Sequence, residues 1–132
     1  MKTKTIRQTV NFKASPHDVY EALMDSRKHS EFTGAKASIN RLIGGRFTAY
    51  DEYNEGINLE LIPDKKIVQS WRADEEGWPK DHYSKVTFSL EKTSSGTRLT
   101  FIHADVPEQH ADAISQGWRD FYWTPMKEML EK

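Results

Sequence analysis

The chain has 132 residues, the size of one domain and enough to bury a single core without covalent staples. It contains no cysteine, which excludes disulfides, thiolate metal ligands and a cysteine nucleophile. With 19 basic and 20 acidic residues the formal net charge is -1, which argues against a dedicated nucleic-acid binder.

Met1-Lys2-Thr3-Lys4-Thr5 has lysines but no apolar segment behind them, so no signal peptide is expected. No apolar run approaches the roughly 18 residues of a membrane span. A cytoplasmic location is the expectation.

Residues 4–12 alternate, with Ile6, Val10 and Phe12 on one parity and Thr5, Arg7, Thr9 and Asn11 on the other. That is a strand with one buried face. Ser15-Pro16-His17-Asp18 then starts a helix: Ser15 caps, Pro16 suits the first helical position, and Asp18 stands where a capping box has Glu. Val19, Tyr20, Leu23 and Met24 form its apolar stripe. A second short helix is expected from Ser26 to about Phe32, ended by Gly34.

Strands are then expected over residues 37–42, 46–50, 57–62, 67–72, 82–90 and 97–103, separated by Gly-, Pro- and Asp-rich turns. Short connections imply antiparallel neighbours. Ile57-Leu59-Leu61 and Val86-Phe88-Leu90 alternate, so one face of the sheet needs cover. Parity places Phe88 opposite Phe101 and Val86 opposite His103, around a 93–96 loop.

Residues 107–132 supply the cover. Ala111, Ile114, Trp118, Phe121, Tyr122, Met126, Met129 and Leu130 recur at helical spacing. Pro125 cannot donate to the Phe121 carbonyl, so a kink is expected there. Phe121 and Trp123 lie off the main stripe, where exposed aromatics would suit a protein-binding surface. The architecture is α+β and a single domain over 1–132. A six- to seven-stranded curved antiparallel sheet wraps a long C-terminal helix, and two short helices follow the first strand.

Several residues, in this order, carry a family resemblance. They are Phe32-Thr33, Gly44-Gly45-Arg46-Phe47, Asp51 with Gly56, Leu61-Ile62-Pro63, and Ile67-Val68-Gln69-Ser70-Trp71-Arg72. Trp78, Leu99-Thr100, His103 with Pro107, Gly117-Trp118 and Tyr122-Trp123 complete the set. Over essentially its whole length the chain resembles the C-terminal domain of the activator of the heat-shock protein 90 ATPase, within the START-like (SRPBCC) helix-grip superfamily. The resemblance implies a helix-grip fold and, as in many relatives, a cavity under the long helix for apolar molecules. In the eukaryotic activator this domain helps a larger N-terminal domain stimulate the chaperone. This chain begins almost at the first strand, so that larger domain is expected to be missing.

Five histidines invite a search for catalysis or metal. His17 and His110, in first helical turns, and His29, in the polar short helix, read as solvated. His82 lies four residues beyond the partner of His103, on the order of 13 Å away. That is too far to share a zinc ion, so no metal is expected. His103 points under the helix, with Asp105 two residues on, and the pair could act as general base and orienter as in cyclase-like members of the superfamily. The plainer reading is a histidine hydrogen-bonded in the core. Gly-x-Ser-x-Gly and phosphate-cradling loops are missing, and Glu75 and Glu76 look solvated.

Phe47, Trp71, Phe88, Phe101, His103, Trp118, Tyr122 and Met126 either pack into a tight core or line a pocket, with His103 and Tyr122 as polar handles. The leading expectation is a monomeric, non-catalytic, stress-related binding module without cofactor. It would hold a small apolar ligand, dock on a chaperone, or do both. The competing one is a cyclase- or hydrolase-like enzyme using His103 and Asp105.

Overall fold

Strand β1 (Thr3–Phe12) buries Ile6, Val10 and Phe12 on one face, as its alternation requires. The structure, a computed structural model, describes residues 1–131. Helix α1 (Pro16–Met24) begins where Ser15 Oγ accepts the Asp18 amide, with Pro16 in the first turn. Asp25 ends α1 and caps α2 (Ser26–Thr33), which stops at Gly34 in the left-handed conformation, φ 73°.

Six strands follow: β2 (Ser38–Ile39), β3 (Arg46–Ala49), β4 (Asn54–Ile62), β5 (Lys66–Ala73), β6 (Ser84–Thr93) and β7 (Gly96–Pro107). With β1 they form one curved antiparallel sheet in the order β1-β7-β6-β5-β4-β3-β2. Phe88 pairs with Phe101 and Val86 with His103, the register that parity predicts.

Some boundaries differ from expectation. β2 keeps two residues, because Asn40 Oδ1 accepts the Leu42 amide and Asn58 Nδ2 holds the Asn40 and Leu42 carbonyls in a loop. β6 starts at Ser84, which leaves His82 in the loop after β5. β7 continues past His103 to Pro107.

β4 carries the larger correction. Ile57 and Leu59 face outward, 41% and 44% exposed, while Asn54, Gly56 and Asn58 face the core. Sterics and hydrogen bonds decide this. A Cβ on Gly56 would lie 1.7 Å from the Ser70 carbonyl oxygen and 2.9 Å from Phe47 Cε1, so only glycine fits. Besides holding the loop, Asn58 accepts from Gln69 Nε2 at 3.0 Å.

The long C-terminal helix covers the sheet as expected, with a π turn inside it at Arg119–Trp123. After a 3-10 turn (Glu108–His110) come α3 (Ala111–Trp118), a π-helical turn (Arg119–Trp123) and α4 (Thr124–Leu130). Pro125 has no amide hydrogen, so the Phe121 carbonyl lacks a helical donor. The Tyr50 hydroxyl donates to it instead, at 2.5 Å. The Thr124 amide reaches back five residues to the Arg119 carbonyl, which is the π turn. The extra residue shifts the helical phase, so Trp118, Tyr122 and Trp123 all face the core. Trp123, expected at the surface, is therefore buried and donates from Nε1 to Gln8 Oε1. Phe121 projects, 58% exposed.

Gly56→Ala is expected to destabilise the fold by about 3 kcal/mol, since the added methyl meets backbone that cannot move aside. Urea unfolding of the two proteins at one temperature measures the difference.

Candidate ligand-binding cleft

Trp118 is the hub between helix and sheet. Its ring lies 4.5 Å from Phe101, 5.8 Å from Trp71 and 5.9 Å from Phe88, and stacks on Trp123 at 5.7 Å. Its Nε1 donates to His103 Nδ1 at 3.1 Å. Ser84 Oγ gives its proton to the Trp71 carbonyl at 2.7 Å, so at 2.8 Å from His103 Nε2 it must accept. His103 is thus the neutral Nε2–H tautomer with both nitrogens engaged. Burial pushes its pKa down to about 3. It is a fully buried core histidine.

The His103–Asp105 pair of the enzyme alternative does not form. Between the pairs Ile6–His103 and Lys4–Val106, two residues of β7 stand against one of β1. Asp105 occupies this bulge with φ 62°, and the alternation breaks there. Val106 turns in, Asp105 is exposed, and the Asp105 carbonyl accepts from His82 Nε2 at 2.8 Å.

His29 is a second correction: it is buried, not solvated. Nδ1 donates to the Leu23 carbonyl at 3.1 Å, because a carbonyl only accepts, and Nε2 receives the Tyr122 hydroxyl at 3.1 Å. Burial lowers the His29 pKa to about 4. Burial also raises that of Tyr122, with the Asn54 amide beside it working the other way. One sequence cue was available: His29 stands three residues before Phe32, on the same helical face. His17 stays at the surface beside Asp64, 3.0 Å away, and His110 stacks on Trp78.

Among the residues chosen from sequence, Phe47, Phe88, Phe101, His103 and Met126 fill the interior, each 5% exposed or less. The space left between Phe47, Phe88, Trp118 and their neighbours is about 10 Å³, no more than a single water needs. A larger space lies at the edge of the interface, backed by the buried Trp71, Trp118 and Tyr122. There a cleft of about 410 Å³ opens between the β3–β4 turn, the loop after β5, α3 and the π turn. Tyr50, Tyr53, Trp71, Trp118, Phe121 and Tyr122 form aromatic walls, with Asn54, Glu75, His110 and Gly117 among them. The cleft residues on the β3–β4 turn were missed because turn composition alone does not say which side chains face inward.

Two lining residues are not explained by folding. Gly117 sits within α3, where glycine costs about 0.5–1 kcal/mol relative to alanine. An added Cβ would meet only Phe121 Cδ2, at an ordinary 3.8 Å, so packing does not demand the glycine. What it does is keep the cleft wall open. Asn54 is 2% exposed, and its Oδ1 has no partner among the described residues. A buried acceptor left unpaired costs about 1–3 kcal/mol. Asn58, on the same inner face of β4, uses both ends of its amide for the fold. Among the described residues no three His, Asp or Glu side chains group to hold a metal ion, and no helix is long and apolar enough to cross a membrane.

Comparison with known proteins accords with this architecture. The family described as Activator of Hsp90 ATPase homolog 1-like protein matches residues 13–131. The Activator of 90 kDa heat shock protein ATPase homolog of Dictyostelium discoideum is 30% identical over 118 residues, 89% of this chain and 30% of that protein. Human Activator of 90 kDa heat shock protein ATPase homolog 1 is 27% identical over 124 residues, 94% of this chain and 36% of that protein. The chain thus spans about a third of the length of these relatives. Among solved structures, an HSP90 activator from Plasmodium falciparum superposes with a TM-score of 0.85 at 20% identity, covering 96% of both chains. The Aha1 dimer from Colwellia psychrerythraea gives 0.80 at 21% identity, covering 97% of this chain and 96% of that one. At such identities the likeness is one of fold.

Gly117→Ala is expected to raise stability by about 0.5–1 kcal/mol, read as a higher melting temperature in calorimetry. Acid is expected to weaken the fold. His29 and His103 have folded pKa values of about 4 and about 3 against 6.5 when unfolded, so the unfolded chain protonates first as pH falls. Their contribution is fully present above pH 6.5 and declines below it, by up to about 1.4 kcal/mol per pH unit for each histidine. Urea midpoints at pH 7.5 and 5 test this, and His103→Gln is expected to flatten the decline.

Proposed function

Because the chain belongs to the Activator of Hsp90 ATPase homolog 1-like family, we propose that it is a non-catalytic binding module holding a small, largely apolar molecule in the cleft beside α3. The observation that carries this reading is the cleft itself: about 410 Å³, walled by six aromatic side chains, with few polar groups among them. Sites for small molecules typically run to about 300–1,000 Å³ and are built in this way. The enzyme alternative draws no support from His103, whose nitrogens are both occupied and whose pKa of about 3 makes it a poor base near neutrality.

A second reading, docking on a chaperone of the heat-shock protein 90 type, has its own observation. The turn at Leu42-Ile43 is tied to β4 by the Gly44 amide donating to the Asn58 carbonyl and the Asn58 amide to the Gly45 carbonyl. Leu42 and Ile43, 69% and 67% exposed, and the outward Ile57 and Leu59 present exposed aliphatic side chains on neighbouring segments. The names of the relatives, activators of the 90 kDa heat shock protein ATPase, point to such a partner. This reading places the chain in the cytoplasm, as a monomer in stress-related work.

Amide NMR of the labelled protein tests both readings. A panel of fatty acids and flavonoids is expected to shift Asn54, Gly117 and the Trp118 indole resonance, and Gly117→Leu is expected to abolish those shifts. A panel that moves none of them sinks the ligand reading. Heat-shock protein 90 is expected to broaden resonances of residues 42–45 and 57–59, with Leu59→Glu weakening the effect at least tenfold. Unchanged spectra at saturating chaperone would remove the docking reading.

A further inference from the structure

The sheet leaves one long edge open. β1 is the last strand in the order and pairs only with β7, so along its other side alternate residues turn a backbone N–H and C=O away from the sheet. An open groove of about 500 Å³ runs along that edge. Arg7, Gln8, Thr9 and Val10 form one wall, four consecutive residues whose side chains alternate between the two faces of the sheet. A space that touches both parities of β1 and no residue of β7 follows the free backbone edge, not either face. Arg119, Trp123 and Lys127 stand on the opposite wall, in the π turn and α4. The walls are tied at a fixed spacing: Gln8 Nε2 donates to the Ser115 carbonyl, and Gln8 Oε1 accepts from the Trp123 indole.

The groove carries charge of one sign. Arg7, Arg119 and Lys127 line it, no aspartate or glutamate does, and none of the three is in an ion pair among the described residues. All three are exposed. Charge on an edge strand ordinarily guards against self-pairing. Here the guard works one way. Two copies meeting edge to edge would set like charges together, whereas an acidic strand would be drawn in.

We infer that this groove takes an extended, acidic segment of a partner protein, added to β1 as one more strand of the sheet. Main-chain hydrogen bonds along residues 7–10 supply the grip, and carboxylates beside Arg7, Arg119 and Lys127 supply the selection. At about 3.3 Å per residue, four residues of β1 match about 13 Å of partner chain. The surface is separate from the aromatic cleft and from the exposed aliphatic residues of the 42–43 turn and β4, so it stands or falls apart from both.

The test titrates the labelled whole chain with a capped heptapeptide alternating glutamate and threonine, read by amide NMR and hydrogen exchange. Amides of residues 7–10 are expected to shift and to gain exchange protection. The same peptide with glutamine for glutamate is expected to bind about tenfold more weakly, the value of a few exposed ion pairs. Arg7→Glu combined with Lys127→Glu, both at exposed positions, is expected to weaken the glutamate peptide to the same degree. N-methylating every second residue of the peptide is expected to abolish binding in one phase and spare it in the other, because only alternate amides of an added strand face β1. Equal binding of both N-methylated phases, or shifts at Arg119 and Lys127 without protection at residues 7–10, would overturn strand addition. Equal binding of the glutamine peptide would overturn the acidic selection. A short oligothymidylate that moves the same residues more strongly than the peptide would overturn the proposal in favour of a nucleic-acid partner. No shift with the glutamate peptide would sink the inference and leave the two readings of function untouched.

Discussion

The structure depends on how Trp118 is seated. Its indole touches aromatic rings from β5, β6 and β7, and its N–H is anchored to His103, which passes the constraint through Ser84 to the Trp71 carbonyl. Dispersion over so large a side chain supplies the attraction, while the hydrogen-bond chain supplies direction, since only one rotation of α3 brings the N–H onto His103. A buried imidazole is costly unless both nitrogens are paired, and here both are. The histidine that invites a catalytic reading is therefore part of the joint between helix and sheet.

A second constraint acts further along the same segment. Pro125 removes one helical donor, and the structure answers with a π turn and a hydrogen bond from Tyr50. That answer has a spatial consequence. The turn brings Tyr122 and Trp123 onto the sheet together, closes the interior around Phe88 and Phe101, and throws Phe121 outward beside Tyr50. The core beneath the helix becomes dense, and the open volume moves to the rim, where Gly117 and Asn54 meet it. The position of the cleft is thus a consequence of the proline.

Asn54 and Asn58 show how one strand divides its work. Four residues apart on the same inner face, they differ only in what surrounds them. Asn58 holds the β2–β3 loop and pairs with Gln69, whereas the Asn54 carbonyl has no partner among the described residues. Polar residues inside a sheet are tolerated where each hydrogen bond is met, and among the described residues Asn54 Oδ1 and Arg72 Nε are the buried side-chain atoms left unmet.

The sequence by itself determined the α+β class, the strands and the Phe88–Phe101 register, because these follow from local patterns: parity, turn residues, the Ser15 cap, the Gly34 stop. The family was legible through a resemblance carried by the ordered residues from Phe32-Thr33 to Tyr122-Trp123. It also showed that the terminal segment must cover the sheet and that Pro125 could not donate to the Phe121 carbonyl. It misread the face of β4 and the depth of His29 and Trp123, and it left the His103–Asp105 pair open. Each of those rested on an event that periodicity does not encode: a close backbone approach at Gly56, a helix packed over α2, a π turn, a bulge at Asp105. Whether Trp71, Trp118 and Tyr122 would line a cavity or fill one was open in the sequence, since an aromatic stripe serves both. Only the tertiary structure decided it, because the empty space is set by how whole elements meet, and a single residue of helical phase moved it from the centre of the fold to its edge.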